Sequence, residues 1–122
     1  MKIILADYLP RPKARPRIFK GGVYSPTGRN EAGLAFLIRS EINRQQIRTP
    51  IAGNTFSVQI TLSTRGNFRG DLDNYVKAIL DALKTARVYQ DDRAVKLLSC
   101  ELRENQGTTF SQIEVTPILQ FP

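Results

Sequence analysis

Carboxylates and a lysine that could act together chemically are concentrated in one stretch, residues 69–92, here called the catalytic segment. Asp71 and Asp73 are two residues apart, Lys77 follows one helical turn after Asp73, and Asp91 and Asp92 are adjacent further along. Carboxylate oxygens are the ligands that Mg²⁺ prefers, and bound Mg²⁺ usually keeps positions for water and for substrate phosphates. The pattern therefore indicates a site for a divalent cation.

The positive charge of the chain lies in its N-terminal part. The formal net charge is +7; residues 1–48 carry ten basic and three acidic side chains, whereas residues 49–122 carry eight of each. This imbalance favours a polyanion binder, most often of nucleic acid, over a protein that is basic without such a partner. Acids beside DNA phosphates need a bridging cation, so the cluster points to metal-assisted phosphodiester cleavage. In the loop over residues 9–28, the basic arm, the candidate DNA-binding residues are Lys13, Arg15, Arg17 and Lys20.

The sequence contains no histidine, and Cys100 is its single cysteine. The absence of histidine excludes histidine triads, histidine general bases and histidine metal ligands, so carboxylates, lysine, hydroxyls or the thiol must do any chemistry. A lone cysteine cannot form an intrachain disulfide, which is typical of a reducing compartment. No membrane-spanning run or signal-peptide pattern is present, and we expect a cytoplasmic protein.

Hydrophobic periodicity predicts a single α+β domain over residues 1–122, with two helices packed on a small mixed β-sheet in the order β-(hairpin)-α-β-α-β-β. Strands are predicted near residues 2–8, 56–64, 94–102 and 109–119, and a small hairpin around Gly21-Gly22 within the basic arm. Helices are predicted over about residues 30–48 and 72–87. The second helix would carry Asp73, Lys77 and Asp81 one turn apart, opposite its apolar stripe.

Each charged residue of the catalytic segment also has a purely structural interpretation. Asp71 suits a helix N-cap, Asp73 and Lys77 have the spacing of an ion pair, and Asp91-Asp92 fits a solvated turn. Asp81 is interpreted as a structural acid on the polar helix face. Only the combination of these residues with the basic arm favours catalysis.

The catalytic segment resembles the signature of the RusA-type Holliday junction resolvases. The pattern R-x-D-x-D-N-x-x-K-x-x-x-D-x-L, followed by a pair of aspartates, is filled at every fixed position from Arg69 onward. Arg15-Pro16-Arg17 followed by Val23-Tyr24 is similar to the R-P-R…V-Y segment of phage-type and Gram-positive members.

The resemblance implies a homodimeric endodeoxyribonuclease that depends on Mg²⁺, with Mn²⁺ as a substitute, and that nicks four-way DNA junctions symmetrically in recombination and repair. We would expect such a protein in a bacterial cell, encoded by the cell or by a prophage. Asp71, Asp73 and Asp92 match the metal-binding and catalytic acids of the family, and Lys77 matches its essential lysine. The residues expected to flank the active site are Arg69, Asn74 and Asp91.

Chain length limits how Asp92 can join Asp71 and Asp73. A helix over residues 72–87 is about 24 Å long, and the five steps from Arg87 to Asp92 span at most about 18 Å. Either the helix ends about a turn early, near Leu83 or Lys84, or the partner subunit supplies Asp92. We expect the early end, which lets residues 88–90 run back along the helix.

Two other functions fit parts of the pattern. A restriction-endonuclease fold needs its acid and lysine two residues apart on a strand, whereas Asp73 and Lys77 are four apart in a helical pattern. A non-catalytic junction-binding or DNA-binding protein of phage or bacterial origin would explain the charge without the chemistry. Cleavage of a synthetic four-way junction with and without Mg²⁺ would discriminate among these alternatives.

Overall fold

The structure, a computed structural model, describes the backbone of residues 1–13, 17–19, 22–24 and 28–119 and the side chains of residues 1–13 and 32–119. The elements in chain order are β1 (Lys2–Ala6), β2 (Arg17–Phe19), β3 (Gly22–Tyr24), α1 (Gly28–Gln45), β4 (Phe56–Ser63), α2 (Leu72–Thr85), β5 (Val95–Arg103) and β6 (Phe110–Pro117). A short 3₁₀ helix, Asp92–Ala94, precedes β5. This order confirms the predicted α+β class.

The main sheet has the strand order β1-β6-β4-β5. Strand β6 pairs antiparallel with both β1 and β4, whereas β4 and β5 are parallel. Parallel neighbours need a crossover connection, and α2 supplies it here. The loop that leads into α2 therefore leaves the carboxyl end of β4, which places the catalytic segment at that end of the sheet.

One face of the sheet packs against both helices. Ile3, Ile113 and Ile60 are opposite one another on β1, β6 and β4, and all three are buried. On the other face the corresponding row contains Gln112, Thr61 and Glu101, which are polar. Helices α1 and α2 also contact each other. The domain is therefore two-layered, with its core between the helices and one sheet face.

Both helices end in a Schellman motif, with a left-handed residue just past the helix. After α2, Arg87 has a φ of 60°, and the N–H groups of Arg87 and Val88 donate to the carbonyls of Lys84 and Leu83 at 3.0 Å each. Gln46, with a φ of 57°, plays the same part after α1. Helix α1 therefore ends at Gln45, three residues before its predicted bound. Helix α2 ends at Thr85, two residues before Arg87 and one residue after Lys84, close to the early end that was expected.

The predicted hairpin within the basic arm is confirmed, because β2 and β3 pair antiparallel with Ile18 opposite Val23. The predicted residues Arg15 and Lys20 lie outside the described part of the chain, and Arg17 is described only as backbone within β2. In the part of the chain that the structure describes, neither helix has the length and apolar character needed to cross a membrane.

Candidate active site

The first turn of α2 carries the two acids at the start of the catalytic segment. Asp71 occupies the N-cap position, as its sequence context suggested, but its side chain makes no capping hydrogen bond. The Oδ1 of Asp73 accepts the backbone N–H of Asn74 at 3.0 Å. Both aspartates are exposed and lie at the helix end where the dipole is positive. Two negative charges are thus presented to solvent at the helix start.

The root of the basic arm, residues 10–13, lies against this same turn. Pro10 is buried, and the backbone N–H of Lys13 donates to the carbonyl of Asn74 at 3.0 Å. Pro12 packs so closely on Gly70 that a β-carbon at residue 70 would lie 2.5 Å from the Cβ of Pro12. The basic arm therefore begins directly beside the acids of α2.

Lys77 pairs with Asp81, one turn further along α2, at 3.7 Å. As the non-catalytic alternative, the sequence spacing predicted an ion pair between Lys77 and Asp73. No such ion pair is present among the described residues. Asp73 bonds a backbone N–H of the first turn instead, whereas the carboxylate of Asp81 is only 14% exposed and faces cations from two directions. Its Oδ2 is paired with the Nζ of Lys13, and its Oδ1 faces Lys77.

Downstream of α2 the chain turns back along the helix, as expected for an early helix end. Val88 and Tyr89 are buried in the core, and the Tyr89 hydroxyl donates to the carbonyl of Leu80 at 3.3 Å. The Tyr89 ring stacks on Phe56 with 6.2 Å between centroids. Burial raises the pKa of Tyr89, and the negative charges of Asp92, Asp81 and Asp91 raise it further. The Tyr89 hydroxyl therefore lies within electrostatic range of all three carboxylates.

Asp91 and Asp92 form the start of the 3₁₀ helix, which contacts α2. Asp91 caps it by accepting the backbone N–H of Arg93 at 3.0 Å and is also paired with the Arg93 guanidinium at 3.2 Å. The Arg93 backbone N–H is the main cause that lowers the pKa of Asp91 to about 2, and the Arg93 guanidinium lowers it further. Asp92 is half-buried. Asp91 thus orders the turn that carries Asp92.

The donor types fit Mg²⁺, since exposed carboxylates at a helix start are hard oxygen ligands. Within residues 1–13 and 32–119, whose side chains are described, no three acidic or cysteine side chains form a group that could hold a metal ion by themselves. Mg²⁺ is commonly held by one or two carboxylates together with water and substrate phosphates. A site completed by DNA is compatible with this arrangement, and a joint site of Asp71, Asp73 and Asp92 stays a prediction.

The remaining residues of interest lie around this cluster. Arg69 is exposed in the loop before α2, and Asn74 is half-buried and bonded to the root of the arm. Cys100 is half-buried in β5, where burial raises the pKa of its thiol to about 11. A thiol with so high a pKa stays protonated at neutral pH and is a poor nucleophile, so Cys100 is not a candidate for the chemistry of the site.

Sequence reasoning missed the ion pair between Lys13 and Asp81, which joins residues 68 positions apart. It treated Lys13 as a DNA contact and Asp81 as a structural acid. The only available signal was that Asp81 continues the row of Asp73 and Lys77 at helical spacing. That spacing indicates a shared face but not a partner from elsewhere in the chain.

Comparison with known proteins gives one positive finding. The family model described as endodeoxyribonuclease RusA matches residues 7–116 of the chain. The match spans the basic arm, both helices, the Asp91-Asp92 turn, strands β4 and β5 and nearly all of β6, and it begins just after β1. A search of curated proteins returned no match.

Proposed function

The chain belongs to the RusA family of endodeoxyribonucleases, whose members resolve Holliday junctions, and we propose that it is a Mg²⁺-dependent enzyme that cuts four-way DNA by paired symmetric nicks. Such cutting would serve recombination and repair. The observation that supports the proposal is the packing of the basic-arm root on Gly70 and Asn74, the neighbours in sequence of the exposed acids at the start of α2. DNA bound by the arm would lie beside carboxylates suited to a cation.

Asp71 and Asp73 are the residues proposed to hold the ion, with Asp92 as a further ligand. The chemistry that Mg²⁺ supplies in such sites is activation of the attacking water and stabilisation of the leaving oxygen. In DNA-free protein the two exposed carboxylates at the N-cap and first turn are available to a ligand arriving from solvent.

Lys77 is proposed to neutralise negative charge that builds on the phosphate during cleavage or to position the attacking water. Its side chain is 58% exposed, and its ammonium lies on the helix face that follows Asp73. The ammonium group of lysine is a compact positive charge that can face a phosphate oxygen directly. The lysine thus adds positive charge where the acids alone would repel DNA.

The proposed enzyme would act as a homodimer. A four-way junction is cut at two symmetry-related positions, and a chain of 13.8 kDa with one acidic cluster offers one site. A two-fold symmetric dimer supplies two equivalent sites.

The test is cleavage of a synthetic four-way junction beside a linear duplex of the same sequence. We expect nicks in the junction with Mg²⁺, none with chelator, and little cleavage of the duplex. A protein that binds the junction but cuts nothing with Mg²⁺ or Mn²⁺ would instead be a non-catalytic junction binder, and the proposal would be wrong.

A further inference from the structure

Asp81 is a charged residue to which the proposed chemistry assigns no role. Its side chain is only 14% exposed, and its two oxygens face different lysines. One lysine, Lys13, belongs to the root of the basic arm, and the other, Lys77, is the residue proposed to act on the phosphate. Asp81 is therefore the point at which these two parts of the molecule meet.

The arm root is held on α2 by contacts of three kinds. Pro12 packs on Gly70, the backbone N–H of Lys13 donates to the Asn74 carbonyl, and the Lys13 ammonium pairs with Asp81. The contacts run from the loop before α2 to the third turn of the helix. They fix the place from which the basic arm departs, and the Asp81 contact lies furthest from the helix start.

The burial of Asp81 makes its pairing necessary. A carboxylate withdrawn from water is costly unless cations or hydrogen bonds compensate for the lost hydration. Lys13 and Lys77 provide that compensation, each at a different oxygen of the carboxylate. In return Asp81 restricts the long Lys77 side chain, which would otherwise sample many rotamers at the surface.

We propose that Asp81 is a positioning residue for junction cleavage, holding the Lys77 ammonium on the acidic face of α2 and tying the root of the basic arm to the same helix. This inference rests on the proposed function. DNA bound by the arm would then lie at a constant position relative to Lys77 and to the acids at the start of α2. Asp81 itself touches neither DNA nor the reacting atoms.

The test compares Asp81→Asn with Lys13→Ala and with Glu41→Gln, a matched control that removes a carboxylate paired with Arg44 on α1. The first measurement is amide hydrogen exchange at residue 13, whose N–H bonds to the Asn74 carbonyl, in protein without DNA or metal. We expect exchange to quicken about fivefold in Asp81→Asn and in Lys13→Ala. Exchange at the Asp7 amide, which donates to the Thr109 carbonyl, should be the same in the variants as in wild type. Exchange at residue 13 should also be unchanged in Glu41→Gln.

The second measurement is the single-turnover cleavage rate at saturating enzyme, which separates the rate of cutting from junction affinity. We expect Asp81→Asn to slow cutting about tenfold, because misplacement of a positioned group is costly. Lys13→Ala keeps Lys77 paired with Asp81 and should chiefly weaken junction affinity. Glu41→Gln should cut at the wild-type rate.

Wild-type exchange at residue 13 together with wild-type cutting in Asp81→Asn would overturn the proposal. Slower cutting with unchanged exchange would also overturn it, since the tie to the arm would be absent. If Asp81→Asn does not fold, exchange at residue 13 in Lys13→Ala is the test instead. Unchanged exchange in that variant would contradict the proposal that the ion pair with Asp81 holds the arm root on α2. Should wild-type protein cut no junction, the proposed function fails, whereas the exchange result still reports on Asp81.

Discussion

Gly70 and Pro12 are in contact so close that a β-carbon at residue 70 would lie 2.5 Å from the Cβ of Pro12 and 2.6 Å from its Cγ. No side chain fits there unless the arm root moves. We therefore expect Gly70→Ala to displace residues 12 and 13 from α2. The free energy of unfolding should fall by about 1–3 kcal/mol, as in other overpacked contacts, and urea denaturation measures it.

Gly66→Ala is the matched control for this prediction. A β-carbon at residue 66 would meet no heavy atom within 4 Å. The free energy of unfolding of Gly66→Ala should therefore stay within about 0.5 kcal/mol of wild type. Equal stability of the Gly70→Ala and wild-type proteins would mean that the close packing of the arm root on α2 is not present in solution.

The basic arm should dominate the salt dependence of junction binding. Replacing both Arg15 and Arg17 with alanine removes two cations, and each phosphate contact contributes about 0.9 to the slope of log affinity against log salt concentration. We expect the slope to become shallower by roughly two units, measured by fluorescence anisotropy on a labelled junction. An unchanged slope would place the DNA-binding surface elsewhere on the protein.

Asp91 should stabilise the protein in a pH-dependent way. Its pKa falls from 3.8 in a free side chain to about 2 in the folded protein, so folding favours the ionised form. The resulting stabilisation is fully present above about pH 4 and is lost as the pH falls towards 2. The melting temperature of Asp91→Ala should accordingly lie below that of wild type at pH 6, with the gap narrowing below pH 4.

Asp91→Asn separates the cap from the charge. Asparagine still accepts the Arg93 backbone N–H as an N-cap but cannot pair with the Arg93 guanidinium. We expect a melting temperature between those of wild type and Asp91→Ala at pH 6. A constant gap between wild type and Asp91→Ala across the whole pH range would show that the carboxylate charge does not stabilise this turn.

Paired cutting should require two chains. Sedimentation equilibrium at micromolar concentration is expected to give about twice the 13.8 kDa mass of the chain. A monomer at that concentration that still made both nicks of a junction in one binding event would refute the dimer.

The ends of the two helices show where sequence reasoning reached its limit. Hydrophobic periodicity located both helices and the alternating strand β4, because those patterns record which side chains face the core. The helix ends carried no glycine signal, since Gln46 and Arg87 take the left-handed position that glycine usually fills. Only the limited reach of the chain to Asp92 indicated that α2 had to end early.

The candidate site divides in the same way. Asp71, Asp73 and Lys77 could be proposed as a group from their spacing and from the basic arm, because all three lie within the first turns of α2 or at its N-cap. The contact of Lys13 with Asp81 depends on how a proline-rich loop crosses α2, and no local pattern encodes such a crossing. The crossing also needs a residue without a β-carbon at position 70, because Pro12 packs directly against Gly70. This requirement could be recognised only in the folded structure.

The most direct test of the account is the rate at which Asp73→Asn cuts a synthetic four-way junction in Mg²⁺, measured beside wild type and Glu41→Gln. The substitution removes one negative charge from the first turn of α2 and keeps the size of the side chain. We expect cutting to be abolished while junction affinity is unchanged or higher, because repulsion of phosphates is reduced. Wild-type cutting by Asp73→Asn would contradict the assignment of this helix start as the active site.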